Sequence, residues 1–329
     1  MKSNSNDTKL TQKTTEIYEP ILSDLQEVEK TLLESADSSY MKPFLKYITK
    51  IPGKRMRPIL TLLSSKFNKT KPENPILMAT AVELLHLATL IHDDTVDKAN
   101  FRRGIKTPNN IWGNQVAVLL GDYIFAKSAT YVCKTENVRV IRKFSETIMD
   151  LSSGQLAEYL LSFKPNLQIN EYNERIYQKT ASLFKTSCET GAILSGIQEN
   201  SIKALSKYGY HIGMAFQLSD DLLDFTGNQE DTGKPVLNDL KQGTITLPII
   251  YFQQKSPDNK TLEHFFQTKN AKDAKAINTL IMNSEVINEC YKVVQEHIDK
   301  ALIAIKNLPD NKSKTALEFI AKNILNRKS

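Results

Sequence analysis

Apolar residues recur at three- and four-residue spacing through most of the chain, and that period predicts helices. Tyr18–Leu33 carries it and Pro58–Phe67 repeats it. After Pro75, placed where a proline opens a helix, it runs unbroken to about Asp97. "TPNNIWGNQVAVLLGDYIFAKSATYVC" opens with turn residues and continues as a mostly apolar helix. Val138–Ser162, Glu171–Leu194, Ile202–Phe225, Thr246–Gln254, Asp273–Met282 and Glu285–Leu308 complete the series. No convincing run alternates apolar and polar residues as a half-buried strand would. Loops fall at "KPNLQIN", "TGNQEDTGKPVLNDLKQG" and "QKSPDNK", none long or polar enough to divide the chain. The expectation is all-α: a single large helical bundle from residue 15 to 329, behind a short disordered arm over residues 1–14.

Composition narrows the function without naming it. With 12 Gly and 12 Pro in 329 residues, breakers are few, which favours long helices. The net charge of +6, from 43 basic and 37 acidic residues, suits an anionic substrate and is too small to argue for nucleic acid. Cys133, Cys188 and Cys290 are far apart and form no CxxC, so they read as buried or half-buried reduced thiols of a cytoplasmic protein. "MKSNSNDTKLTQKTT" lacks the apolar stretch of a secretory signal. No continuous apolar run reaches the length of about 18 residues needed to span a bilayer. Peripheral contact with a membrane stays open if the product is a lipid.

Ile76–Ile91 is apolar almost all round, interrupted by Glu83, His86 and the hydroxyls of Thr80 and Thr89. Such a helix belongs inside a bundle, where each polar group needs a reason. The run ends in Asp93, Asp94 and Asp97, and "AFQLSDDLLDF" repeats the spacing with Asp220, Asp221 and Asp224. Residues four apart share a helix face, so each cluster presents two aligned carboxylates and a third beside them. Carboxylates this close repel, and a dry site would protonate them unless cations arrive. Hard oxygen ligands of this kind suit Mg²⁺, which commonly bridges a carboxylate to a substrate phosphate. An EF-hand fails, because Lys98 stands where the loop needs Gly. The basic complement is Lys54, Arg55 and Arg57 in "GKRMRP", Arg102 and Arg103 in "NFRRG", Lys179 beside Thr180 in "YQKTASL", and Lys234 in "TGKPV". Arg forks and Lys point charges are the usual phosphate holders.

These segments, with "ELLHLATLIHDDTVD", "GDYIFAKS" and "GKPVLNDLKQGTITLP", stand in the order and at the spacing of the trans-type (E) isoprenyl diphosphate synthases, which the chain resembles over nearly its whole length. The resemblance implies an isoprenoid synthase fold around a deep central cavity, a homodimer, and head-to-tail condensation of isopentenyl diphosphate onto an allylic diphosphate with three Mg²⁺. It implies Asp93, Asp97 and Asp220 as metal ligands, with Asp94, Asp221 and Asp224 beside them. Lys54, Arg57, His86 and Arg103 match the isopentenyl diphosphate holders. Arg102, Lys179 and Lys234 match the allylic diphosphate holders, and Thr180 and Gln217 lie close to the reacting carbons. The chain departs from the family pattern at Pro52 and Leu237, where Gly is common. Gln155 and Glu158 read as a swapped Glu/Gln pair after Gly154, and Thr244 replaces a Lys of short-chain members.

One turn before Asp93 stand the small residues Ala88 and Thr89, where family members with short products tend to carry an aromatic floor. Their absence of bulk predicts a tunnel continuing toward Leu84, Leu85 and Ala81, or to a facing helix with Tyr123 and Phe125. The product expected is a medium or long all-trans chain of about six to ten isoprene units, suited to a quinone side chain. The competing readings are a short-chain synthase of the same family, a class I terpene cyclase, a di-iron bundle using Glu83 and His86, and a subunit of a heteromeric synthase. The isopentenyl set speaks against the cyclase, and no second ExxH supports the di-iron bundle. His92 is expected to bond a neighbouring helix rather than a metal, and His211, His264 and His297 to be structural.

Overall fold

In the computed structural model, residues 17–51, 53–68, 71–227, 237–270 and 272–325 are described. The expected arm over residues 1–14, and Lys234, lie outside them. Two compact units emerge, one of residues 1–144, 186–206 and 307–319, the other of residues 145–185, 207–306 and 320–329.

In the first unit a 3-10 turn (Glu19–Ile21) leads into α1 (Leu22–Glu34), α2 (Lys42–Thr49), α3 (Met56–Ser65) and α4 (Glu73–Val96). A hairpin of β1 (Phe101–Arg102) and β2 (Ile105–Lys106), then α5 (Pro108–Trp112), α6 (Asn114–Cys133) and the start of α7 (Val138–Leu160), follow. The central helix is α4, packed against α1, α3 and α6. Pro75 sits in its first turn, where the missing N–H has no helical partner to lose. Ala81, Leu84, Leu85 and Ala88 are wholly buried, and each leucine contributes about 1.5–3 kcal/mol of burial. By length and hydropathy α4 and α6 could each cross a membrane, but 67% of α4's apolar window is buried within the protein, as in a core helix.

The second unit holds the rest of α7, then α8 (Ile169–Ile176), a π-helical turn (Tyr177–Ala181) and the first residues of α9 (Ser182–Leu194). It continues with α10 (Glu199–Thr226) from residue 207, then α11 (Asn238–Gln242), α12 (Leu247–Lys255), α13 (Lys260–Thr268), α14 (Asp273–Met282), α15 (Val286–Ile305) and the end of α16 (Lys312–Lys322). A capping box between Gln168 and Glu171 starts α8, and the Asn259 side chain caps α13. α12 packs against α8, α14 and α15.

The structure corrects the sequence reading in several places. A hairpin exists, too short to show alternation, and its turn residues Arg103 and Gly104 both have positive φ, 52° and 76°. The helix expected from Glu171 to Leu194 is interrupted by the π turn, and Gly113, at φ 84°, separates α5 from α6. Short helices α2, α11, α13 and α16 went unread. Cys133 is exposed, whereas Cys188 and Cys290 are buried, with thiols that burial pushes up to about 12.

Candidate active site

The first Asp cluster closes α4 within the first unit. Asp94 is 4% exposed, Asp93 is half-buried and Asp97 is exposed. The guanidinium of Arg102, on β1, grips Asp94: Nε donates to both carboxylate oxygens at 3.0 and 2.8 Å, and Nη2 donates to Oδ1 at 2.7 Å. The tight hairpin is what turns Arg102 back onto the helix end, eight residues away in sequence.

The cations converge on His86. Its imidazole is held well below the ordinary range by burial, then by the positive field of Arg57, Arg102, Arg103 and Arg55. It is therefore neutral at pH 7. Arg55, at the left-handed φ of 49°, is committed elsewhere: it donates to Glu29 at 2.6 Å, to buried Glu83 at 2.9 Å and to the Thr49 carbonyl at 3.0 Å. Glu83 thus neutralises an arginine, which removes the di-iron reading. A Cβ at Gly53 would lie 3.2 Å from Arg55 Nη1 and 3.4 Å from Arg103 Nη1, so the "GKRMRP" segment runs beside the hairpin arginine. His92 Nε2 lies 3.3 Å from the Val118 carbonyl and 3.3 Å from Asp122, both on α6. Thr89, half-buried, donates to the His86 carbonyl at 2.8 Å, and the Tyr123 hydroxyl donates to Asp37 at 3.2 Å.

In the second unit the π turn displays Lys179 and Thr180. Extra backbone in such a turn re-aims side chains, and π turns recur at functional sites. Two glycines let neighbouring helices touch it. Gly154 on α7 lies against the Lys179 backbone, and one helical turn later Glu158 pairs with the Lys179 ammonium. A Cβ at Gly213 on α10 would meet the Ala181 Cα at 2.5 Å, and one turn later Gln217 accepts a hydrogen bond from Thr180 at 2.7 Å. Gln217 in turn donates to Asp221 at 2.8 Å, and the buried Tyr172 hydroxyl donates to the other Asp221 oxygen at 2.6 Å. Burial pushes the Asp221 carboxyl up to about 6, against the opposing pull of these hydrogen bonds and of Arg175. Asp224 accepts from the backbone N–H groups of Asn238 and Asp239, at 2.9 and 3.2 Å, and so anchors the start of α11. Leu237, at φ 62°, occupies the left-handed position that explains the family's glycine there.

The two clusters share one design. In each, the middle aspartate (Asp94, Asp221) is buried and held by protein donors, while its preceding neighbour (Asp93, Asp220) reaches further toward solvent. Among the described residues no three His, Cys, Asp or Glu side chains close on a metal by themselves. Pairs of aspartates one helical turn apart supply the hard oxygen donors that fit Mg²⁺ chemistry. Sequence reading missed Tyr172, Arg175 and Asp239, and it named Glu158 only as one of a swapped pair, without a role. Glu158 was signalled by its place one turn after Gly154. Asp239, whose carboxyl is pushed well up by enclosure and then by the nearby Asp224 charge, carried no such signal.

Comparison with known proteins places this geometry. The family described as polyprenyl synthetase matches residues 38–283. Component 2 of heptaprenyl diphosphate synthase from Geobacillus stearothermophilus is 32% identical over 307 residues, covering 93% of this chain and 96% of that one. The crystal structure of heptaprenyl diphosphate synthase from Staphylococcus aureus superposes with a TM-score of 0.89 at 34% identity, covering 93% of this chain and 98% of that one. A polyprenyl synthase from Caulobacter crescentus CB15, complexed with calcium and isoprenyl diphosphate, gives a TM-score of 0.89 at 28% identity, covering 96% and 98%. The chain belongs to the polyprenyl synthetase family: it is a prenyltransferase with the all-α isoprenoid synthase fold.

Proposed function

We propose that this enzyme condenses isopentenyl diphosphate head-to-tail with an allylic diphosphate, farnesyl or geranylgeranyl, releasing pyrophosphate and a medium or long all-trans polyprenyl diphosphate. The observation that carries the reading is the paired cluster design, with Asp94 and Asp221 locked into the protein and their neighbours turned outward. Asp93 and Asp97, with Asp220, would hold Mg²⁺, a fit supported by the calcium and isoprenyl diphosphate of the Caulobacter enzyme. Bound there, the metal would neutralise charge on the departing pyrophosphate. Lys54, Arg57, Arg103 and neutral His86 hold isopentenyl diphosphate; Lys179 and Arg102 hold the allylic diphosphate, and Lys234 is assigned with them. The apolar lining excludes water from an allylic cation.

Small Ala88 and Thr89 leave room for the growing tail, and heptaprenyl synthases among the relatives support a product of that class. The test is product analysis with purified protein, Mg²⁺, labelled isopentenyl diphosphate and either primer. Chains of six or more units are expected; a stop at three or four sinks the chain-length reading and keeps the enzyme. A second reading, dependence on a partner subunit, is favoured by the component 2 relative. Homodimer formation is supported by exposed Val118 and Leu119 on α6 and by exposed Met149, Leu156, Tyr159 and Leu160 on α7. No elongation by the pure chain, with activity restored by a second protein, would decide for the partner.

A further inference from the structure

Tyr172 and Arg175, one turn apart on α8, stand behind the second aspartate cluster, and no metal-binding role requires them. Tyr172 is wholly buried and Arg175 is 2% exposed. The Arg175 guanidinium lies 5.5 Å from the Tyr172 ring centre, donates through Nη2 to the Ile245 carbonyl at 2.6 Å, and leaves Nη1 without a hydrogen-bond partner. A buried arginine is costly unless its charge is used, and here it faces Asp221 from the protein interior. The polar atoms beyond form one directed chain. The Tyr172 O–H donates to Asp221 Oδ2, the Gln217 amide NH₂ donates to Asp221 Oδ1, and the Thr180 O–H donates to Gln217 Oε1. An ionised carboxylate only accepts, so Gln217 must turn its NH₂ toward Asp221 and its carbonyl toward Thr180. That in turn commits the Thr180 proton to Gln217 and leaves the Thr180 oxygen lone pairs as the chain's free end.

We propose that Tyr172 is a positioning residue for prenyl transfer: through Asp221 it fixes the rotamer of Gln217 and the hydroxyl direction of Thr180. Asp221 serves as the hub of this chain rather than as a metal ligand. The inference rests on the reading above that Thr180 and Gln217 adjoin the reacting carbons. Removing the Tyr172 hydroxyl frees Asp221 to swing and Gln217 to move with it, and misplaced groups of this kind slow chemistry without weakening binding.

The test is a kinetic double-mutant cycle on the full-length enzyme, with labelled isopentenyl diphosphate and its allylic primer. Tyr172→Phe is expected to lower kcat about tenfold or more while both KM values stay within about twofold. In a Thr180→Val background the same change should cost clearly less, because one of the two groups it positions is already gone. Additive losses, or an unchanged kcat in Tyr172→Phe, would overturn the proposal. If Thr180→Val alone keeps full kcat, the assignment of Thr180 to the reacting centre fails, a result separate from the first. Should Tyr172→Phe not fold, Asp221→Asn takes its place with the same kinetic readout, because one carboxylate oxygen becomes an NH₂ and Tyr172 and Gln217 can no longer both donate to residue 221. A crystal structure of Tyr172→Phe with Asp221 and Gln217 unmoved would also count against the chain.

Discussion

Gly154 lies so close beneath Lys179 that a Cβ at residue 154 would collide with the Lys179 amide nitrogen. The contact sets the distance between α7 and the π turn, and Glu158 meets the Lys179 ammonium one turn later. Overpacking a backbone contact costs about 1–3 kcal/mol. Gly154→Ala is therefore expected to lower Tm, and to raise KM for the allylic substrate more than for isopentenyl diphosphate, because Lys179 moves with its backbone. Equal KM changes for both substrates would break the link between this glycine and the allylic site.

The clusters predict an asymmetry among their aspartates. Asp220→Asn and Asp97→Asn act at exposed positions, where water screens the charge change, so folding stability should change little. Activity should fall by about 100-fold or more if these carboxylates hold metal as proposed. Asp94→Asn removes the charge that Arg102 grips and should lose about 2–4 kcal/mol of stability. Urea unfolding beside turnover assays reads both axes, and equal stability losses at all three positions would refute the division. Chelation of divalent ions should abolish turnover in the unmodified enzyme, with recovery on adding Mg²⁺.

Chain length is expected to respond at Thr89. Its side chain is half-buried one turn before Asp93, and a phenylalanine there would supply the floor that small residues leave out. Thr89→Phe should shorten the dominant product while leaving the first condensation intact, which chromatography of the released prenyl alcohols would show. An unaltered product distribution would move the floor to another helix.

Much of this was written in the local pattern. The apolar run of α4 announced a buried helix, and the DDxxD spacing announced two carboxylate faces, because both depend only on helical period. What escaped depends on tertiary neighbours. The hairpin at Arg102 is two residues per strand and has no room for alternation. The π turn at Lys179 differs from an α-helix by one inserted residue, which periodicity cannot register. The roles of Arg55 and Arg102 look alike in sequence, yet one is spent on Glu29 and Glu83 and the other on Asp94. Only the fold chooses each arginine's partner. His211 and His297 carried no motif, and the fold brings their Nδ1 atoms to 3.1 Å.

That histidine pair predicts a pH dependence of stability. Burial, then the neighbouring His211 and the Lys300 charge, hold His297 down to about 4. His211 is likewise lowered, by burial and by Lys300 and Lys207. A folded pKa below the unfolded value near 6.5 means that the unfolded chain binds the extra proton first. The pair's contribution is complete above about pH 6.5 and is lost as pH falls from there toward 4. Partial exposure screens the effect to about 2 kcal/mol. His86, also lowered, acts in the same direction, so the pair is isolated by subtraction: unfolding free energies of the unmodified enzyme and of His297→Phe are compared from pH 7.5 to 4.5. The unmodified enzyme should lose more stability over that range. Parallel curves would mean that the two imidazoles titrate in the folded protein as they do in the unfolded chain.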